Sequence, residues 1–300
     1  MIMNKLNEEI IDIAKGLGIN LIGFCKLEYF KDLEDILNKQ RELGYKTSFQ
    51  VGNIEDKTFK NSEYKSAIVV GLPYNKIDFN DEKGKVHLSS VAVGKDYHIV
   101  LKEKLKFIYD YLIDKGYKSF IGVDNNIYDE RFLAYKAGIG FYGKNNLLIN
   151  DKYGTYFFIG VILTDAVFDY NKQSDKNCYG CNKCIESCPT HAINEDGILA
   201  GNKCLSYLTQ KRELTEEEKK YINNCVYGCD ICQTVCPYNK NLEKSNDFIS
   251  DGNELIDINE FLNMSDDEYN DKYKDNSSYW RGKKIIDRNI KLYMENNLKK

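Results

Sequence analysis

The chain has 300 residues, 42% hydrophobic and 13% aromatic, enough to bury the core of one large domain plus a small one. A net charge of −4 excludes a globally basic nucleic-acid binder and leaves only local basic footprints. No apolar run reaches the length of about 18 residues that a membrane span needs.

The start, MIMNKLNEEIIDIAKGLGI, carries acids inside an apolar helical pattern and no twin-arginine pair. It reads as a first helix over 4–17, not an export signal, so a cytoplasmic protein with no membrane partner is expected. The first 170 residues read as α/β. Strands are predicted over Ile19–Cys25 and over Lys65–Tyr74, the latter rich in β-branched residues and closed by Gly71 and Pro73. Residues 75–85 are polar and read as a surface loop. Asp96–Lys115 places Ile99, Leu101, Leu105, Ile108 and Leu112 near helical spacing. A strand over Lys118–Val123, a helix from about Tyr128 to Ala137 and a strand over Tyr156–Thr164 complete this domain. Residues 171–245 form a cysteine-rich domain. Residues 246–300 form a third segment, acidic over 247–276 and then basic. Its last part, Trp280–Lys300, has seven basic and two acidic residues, a net +5, with one helix over Ile285–Leu298.

Nine of the ten cysteines lie between Cys178 and Cys236. Disulfides are not expected in a reducing compartment, so the clustering calls for a metal reading. Cys178, Cys181, Cys184 and Cys188 follow the C-x2-C-x2-C-x3-C-P run of bacterial ferredoxins, in which three cysteines wrap one cubane and the fourth serves the other cluster. Cys229, Cys232 and Cys236, followed by Pro237, repeat the end of that run. Zinc modules use two separated ligand pairs, so two [4Fe–4S] clusters are the better reading. Exchange of the fourth ligand assigns Cys178, Cys181, Cys184 and Cys236 to one cluster. The other takes Cys188, Cys229, Cys232 and either Cys204 or Cys225; spacing alone does not choose. Cys25, inside an apolar strand, reads as a core residue.

Three further motifs bear on chemistry. Asp124 ends a strand and on its own reads as a turn cap. Residues 138–143 spell G-x-G-x-x-G, but a helix precedes them and a strand-like NNLLIN follows, the reverse of a dinucleotide fingerprint. Asp96 and His98 begin a D-x-H-x-x-G corrinoid pattern that fails at Leu101. His87 and His191 look incidental.

Several blocks together resemble the epoxyqueuosine reductases of tRNA queuosine synthesis. They are GKDYH at 94–98, VD at 123–124, AGIGFYGKN at 137–145, the cysteine module with CLSYLTQ at 204–210, YGCD at 227–230 and WRGKK at 280–284. The resemblance spans nearly the whole chain and implies an N-terminal corrinoid-binding α/β domain joined to a two-cluster ferredoxin-like domain. It implies an enzyme that uses cobalamin, without a protein histidine on cobalt, to convert the substrate's epoxide to an alkene. It also implies Cys204 as the missing cluster ligand. Asp124 becomes the expected proton donor, on condition that burial raises its pKa above the usual 3.9 or so. His98, Gly138, Gly140, Gly143, Lys144 and Asn145 become expected neighbours of the corrinoid, the glycines letting backbone amides approach it. Arg131, Trp280, Arg281, Lys283 and Lys284 are expected at the tRNA. An external flavodoxin- or ferredoxin-type electron donor and a monomeric state are expected. The chain departs from the family's pattern at Asn125-Asn126-Ile127 and at Ser89-Ser90-Val91, and it reads as a short form lacking C-terminal helical repeats. Two other readings share these residues: a corrinoid reductase for another substrate such as an organohalide, and a simple electron carrier.

Overall fold

The computed structural model describes residues 4–79, 82–195 and 197–298. In chain order the strands are β1 (Leu21–Lys26), β2 (Ser66–Pro73), β3 (Lys85–Leu88), β4 (Ser119–Gly122), β5 (Phe141–Tyr142), β6 (Leu148–Ile149), β7 (Phe157–Thr164), β8 (Cys225–Tyr227) and β9 (Leu255–Asp257). The helices of the N-terminal half are α1 (Lys5–Gly16), α2 (Lys31–Glu42), α3 (Ile54–Lys57), α4 (Tyr97–Asp114) and α5 (Glu130–Lys136). The cysteine-rich part adds the single turns α6 (Lys183–Glu186), α7 (Leu205–Leu208), α8 (Glu216–Lys219) and α9 (Ile231–Thr234). Helices α10 (Ile258–Asn263), α11 (Asp266–Tyr273) and α12 (Lys283–Leu298) follow.

The main sheet runs β1-β2-β7-β4, antiparallel at every neighbour. Of the α/β and α+β arrangements that the sequence allows, the N-terminal domain takes an antiparallel sheet with helices on both faces. Side chains alternate along β2: Ile68, Val70 and Leu72 join one core, and Ala67 and Val69 join the other. The first core is covered by α1 and α4 through Ile10, Leu101, Leu105 and Ile108, the second by α2 and α5 through Leu33, Leu37 and Phe132. Burial on both faces explains why β2 and β7 read as continuous apolar runs.

A second sheet, β8-β3-β9, has β3 parallel to β8 and antiparallel to β9. Its central strand comes from the N-terminal part and its flanks from the two later segments. The divisions expected at 170 and 245 are therefore crossed by one packed unit, in which Leu88, Val226, Ile256, Phe261, Ile286 and Ile290 share a core. Residue 85 begins β3, so the loop expected over 75–85 ends one residue early; residues 80 and 81 lie outside the described set.

Candidate active site

Strand β4 stops at Gly122, and Asp124 and Asn125 follow with φ of 44° and 42°. Two consecutive non-glycine residues in the left-handed region are unusual, and Asp and Asn are the types that tolerate it. The turn carries the chain to α5, whose N-terminus is capped by Asp129. It leaves the Asp124 side chain 58% exposed at a cleft of about 570 Å³.

Helix α4 aims at the same point. Its N-cap, Asp96, accepts from the His98 backbone N–H at 2.9 Å and holds the His98 Nδ1 at 2.7 Å. The other ring nitrogen, Nε2, lies 3.4 Å from Asp124 Oδ2 and 3.3 Å from the Asn125 amide. Tyr97 stacks between His98 and Phe158 and donates its hydroxyl to Asp124 Oδ2 at 2.9 Å. Burial pushes the Asp124 carboxyl up, but hydrogen bonds from His98, the Asn125 backbone and Tyr97 outweigh it and hold the carboxyl at about 2. Burial likewise opposes charge on His98, yet Asp124 and Asp96 raise it to about 9. The expected burial-raised acid at Asp124 is thus corrected: at neutral pH the carboxylate is ionised and the proton sits on His98. Farther along the turn, burial pushes the Glu130 carboxyl up to about 7.

The cysteine loops close the cleft from the other side. Cys188, Cys204, Cys229 and Cys232 line it, and Cys204, Cys229 and Cys232 each feel the charge of others in the set. Cys178, Cys181, Cys184 and Cys236 surround a separate cavity of about 20 Å³. Burial pushes the Cys229 thiol up to about 12 and raises Cys204 as well. Cys225 stands in β8, buried, with its Sγ donating to the carbonyls of Tyr227 and Gly228 at 3.5 and 3.6 Å. Cys25 is buried in β1, where burial pushes its thiol to about 12.

The remaining expected residues divide. Arg131 lines the cleft and donates to the Asn146 carbonyl at 2.7 Å. Asn145 is buried and lines both cavities. Lys144 reaches Asn182 at 2.5 Å beside the smaller cavity, away from the cleft. The glycine turn is also away from it. At Gly138, which has φ of 71°, a Cβ would meet the Lys172 carbonyl at 2.6 Å, and at Gly140 the Ile149 carbonyl at 2.6 Å. A Cβ on Gly143 would meet Asn145 Oδ1 at 2.6 Å. The chain's own close packing requires glycine at each of these positions. His98 has both ring nitrogens turned to carboxylates.

In the basic segment Trp280 is half exposed, its Nε1 donating to the Tyr227 hydroxyl at 2.9 Å. Arg281 stacks on Trp280 and on Phe49, at 4.5 and 5.4 Å from the ring centres. Phe49 lines the cleft, so this aromatic group stands at its edge. Lys284 is exposed. Lys283 is only 11% exposed, bonded to Asp287 at 3.1 Å and set over the Phe261 ring. That packing leaves the ammonium little free surface, unlike the free cation expected from the sequence. Arg288 is similarly spent on the carbonyls of Lys211 and Arg212, at 2.6 and 2.8 Å. Lys299 and Lys300 lie outside the described residues.

Sequence reasoning missed Tyr97, Asp96 and Glu130 as parts of this site. The first two lie inside the GKDYH block, where an N-cap aspartate followed by two rings was a readable signal. Glu130, beside Arg131, carried none.

Comparison with known proteins fits this geometry. Residues 177–239 match the 4Fe-4S double cluster binding domain, and residues 60–124 match the family described as "Epoxyqueuosine reductase QueG, DUF1730". The epoxyqueuosine reductase of Lactococcus garvieae is 34% identical over 96% of this chain and 86% of its own. A crystal structure of epoxyqueuosine reductase with a tRNA-Tyr epoxyqueuosine-modified stem loop superposes with a TM-score of 0.91 at 33% identity, covering 97% of this chain and 81% of that one. The Bacillus subtilis epoxyqueuosine reductase, solved with its catalytic aspartate loop swung out of the active site, gives 0.91 at 32% identity, over 97% and 82%. At that identity over nearly its full length, and with both parts of the cleft accounted for, this chain belongs to the epoxyqueuosine reductase family.

Proposed function

We propose that this chain reduces epoxyqueuosine in tRNA to queuosine, with cobalamin in the cleft and two [4Fe–4S] clusters on the eight cysteines. One observation carries the reading: Asp124 from the N-terminal domain and four cysteines from the cluster domain line the same cleft.

The residues fit these groups. Each cavity is walled by four thiols, so Cys178, Cys181, Cys184 and Cys236 would hold one cluster and Cys188, Cys204, Cys229 and Cys232 the other. Cys225, with its Sγ turned to two backbone carbonyls, is left out. The cleft offers apolar side chains such as Leu147, Phe157, Ile159 and Ile193 together with Asn145, Thr155 and Gln233. That mixture suits a flat macrocycle edged with carboxamides. When bound, the clusters pass single electrons and reduced cobalamin supplies the two-electron reduction.

The protein's own part is positioning and protons. Opening the epoxide to an alkene consumes two electrons and two protons and releases water. Asp124 is the catalytic residue in this reading: it takes a proton from His98 Nε2 and delivers it to the leaving oxygen, while Tyr97 fixes the carboxylate. Desolvation of the cleft by substrate raises the carboxyl pKa and so favours proton movement from His98 to Asp124. Arg131, Trp280, Arg281 and Lys284 contact the tRNA. The enzyme works as a cytoplasmic monomer with an external flavodoxin- or ferredoxin-type donor. Among the described residues no helix is long and apolar enough to cross a membrane.

The test is anaerobic incubation of cluster-loaded protein with cobalamin, a low-potential reductant and epoxyqueuosine tRNA, followed by nucleoside analysis. Queuosine is the expected product. Its absence with both clusters and cobalamin loaded refutes the assignment.

A further inference from the structure

The turn that carries Asp124 is fastened by two side chains from outside the GKDYH block. The Asn126 amide donates to the Asp124 carbonyl at 3.1 Å and to Glu130 Oε1, and its own oxygen accepts from the Tyr128 N–H at 2.8 Å. The carboxylate at the first turn of α5 thus grips the loop through Asn126, which in turn holds the Asp124 carbonyl. Beneath it there is no slack: a Cβ on Gly122 would come within 3.0 Å of the Asn126 amide and 2.8 Å of Val161. Asp124 and Asn125 both occupy a backbone region that non-glycine residues leave unless their surroundings over-determine it.

We propose that Asn126 and Glu130 are positioning residues that hold the Asp124 turn inside the cleft, presenting its carboxylate to the substrate and to His98. Neither side chain needs to touch the reacting atoms. Glu130 serves as an acceptor anchored on α5, and Asn126 converts that anchor into a brace across the two left-handed residues. The inference rests on the reading of Asp124 as the proton donor.

The test pairs kinetics with a readout that needs no turnover. The chain has three histidines, so the His98 ring can be followed by NMR in the cluster-loaded protein labelled at histidine. Asp96, Asp124 and Tyr97 face that ring, and only Asp124 is on the braced turn. In Asn126→Ala and in Glu130→Ala the turn should leave the cleft, and His98 should titrate well below about 9, toward the ordinary 6.5. In the same variants kcat should fall about 10²-fold, the usual effect of a misplaced catalytic group, with KM for tRNA unchanged. Glu130→Gln keeps the acceptor oxygen and should restore both. A His98 titration unchanged in Asn126→Ala and Glu130→Ala overturns the brace. A shifted titration in a protein whose wild type makes no queuosine instead overturns the reaction assignment and leaves the brace standing.

Discussion

The His98 imidazole bridges two carboxylates, with Nδ1 at 2.7 Å from Asp96 and Nε2 at 3.4 Å from Asp124. Asp96 is fixed as the cap of α4, so it orients the ring and leaves Asp124 as the partner facing the cleft. Both ring nitrogens are thus engaged by carboxylates, one on each side of the imidazole.

The first prediction concerns titration. Asp124 is depressed from 3.8 to about 2, so its contribution to stability is present above about 4 and is lost as pH falls toward 2. His98 is raised from 6.5 to about 9, so its contribution is complete below 6.5 and is lost as pH rises through 9. The pair therefore stabilises most between about pH 4 and 6.5, weakly because Asp124 is largely exposed. NMR should find His98 titrating near 9 in the wild type. Asp124→Asn should lower that value, leaving it above 6.5 because Asp96 remains. A wild-type value at 6.5 would show that the two carboxylates do not act on the ring.

A second prediction follows for turnover. Asp124→Asn keeps the shape and removes the acid, so both clusters and cobalamin binding should survive while kcat falls about 10²–10⁴-fold. Iron analysis and cobalamin absorption check the first half, and single-turnover formation of queuosine checks the second. Wild-type turnover in this variant would reduce Asp124 to a turn residue.

Much of this was legible in the sequence for physical reasons. Strands buried on both faces, such as β2, announce themselves as apolar runs, and α4 by its spacing of Leu101, Leu105, Ile108 and Leu112. Helix α2 was not legible, because only Leu33 and Leu37 of its twelve residues are buried. The second sheet was hidden because its three short strands lie far apart in the chain. The glycine turn is ambiguous in sequence because close packing against Lys172 and Ile149 demands glycine as strongly as a ligand does. The Asp124 pKa was misjudged because burial is visible in apolar neighbours, whereas the bonds from Tyr97 and His98 depend on how α4 meets the end of β4. Charge counting cannot distinguish Lys283 from its neighbours, because its ion pair with Asp287 forms only once α12 does.

The cysteine sets give a third prediction. Two [4Fe–4S] clusters require about eight iron and eight sulfide per chain after anaerobic purification. Cys204→Ala should lose cluster content, since Cys204 shares the cleft wall with Cys188, Cys229 and Cys232. Cys225→Ala should keep it, its thiol being turned to the Tyr227 and Gly228 carbonyls. Iron near four per wild-type chain, or the reverse pattern in the two variants, would refute the ligand sets.

The last prediction separates two adjacent lysines that charge alone does not distinguish. Lys284 is exposed three residues after Arg281, which stacks on Trp280 beside Phe49 of the cleft. Each phosphate contact removed should flatten the salt dependence of tRNA binding by about 0.7–0.9 in the log–log slope, depending on strand form. Arg281→Ala and Lys284→Ala should each show that change with clusters intact, and Arg281→Ala should lose more affinity because its guanidinium also braces the Trp280 ring. Lys283 behaves differently. Its ammonium is nearly buried against Asp287 and Phe261, so Lys283→Ala strips a half-buried carboxylate of its partner and should cost about 1–3 kcal/mol of stability. The salt slope of that variant should match the wild type. Filter-binding titrations across salt concentration, paired with thermal unfolding of each variant, read both quantities. A reduced slope in Lys283→Ala, or unchanged slopes in Arg281→Ala and Lys284→Ala, would place the RNA on a different face of the cleft mouth.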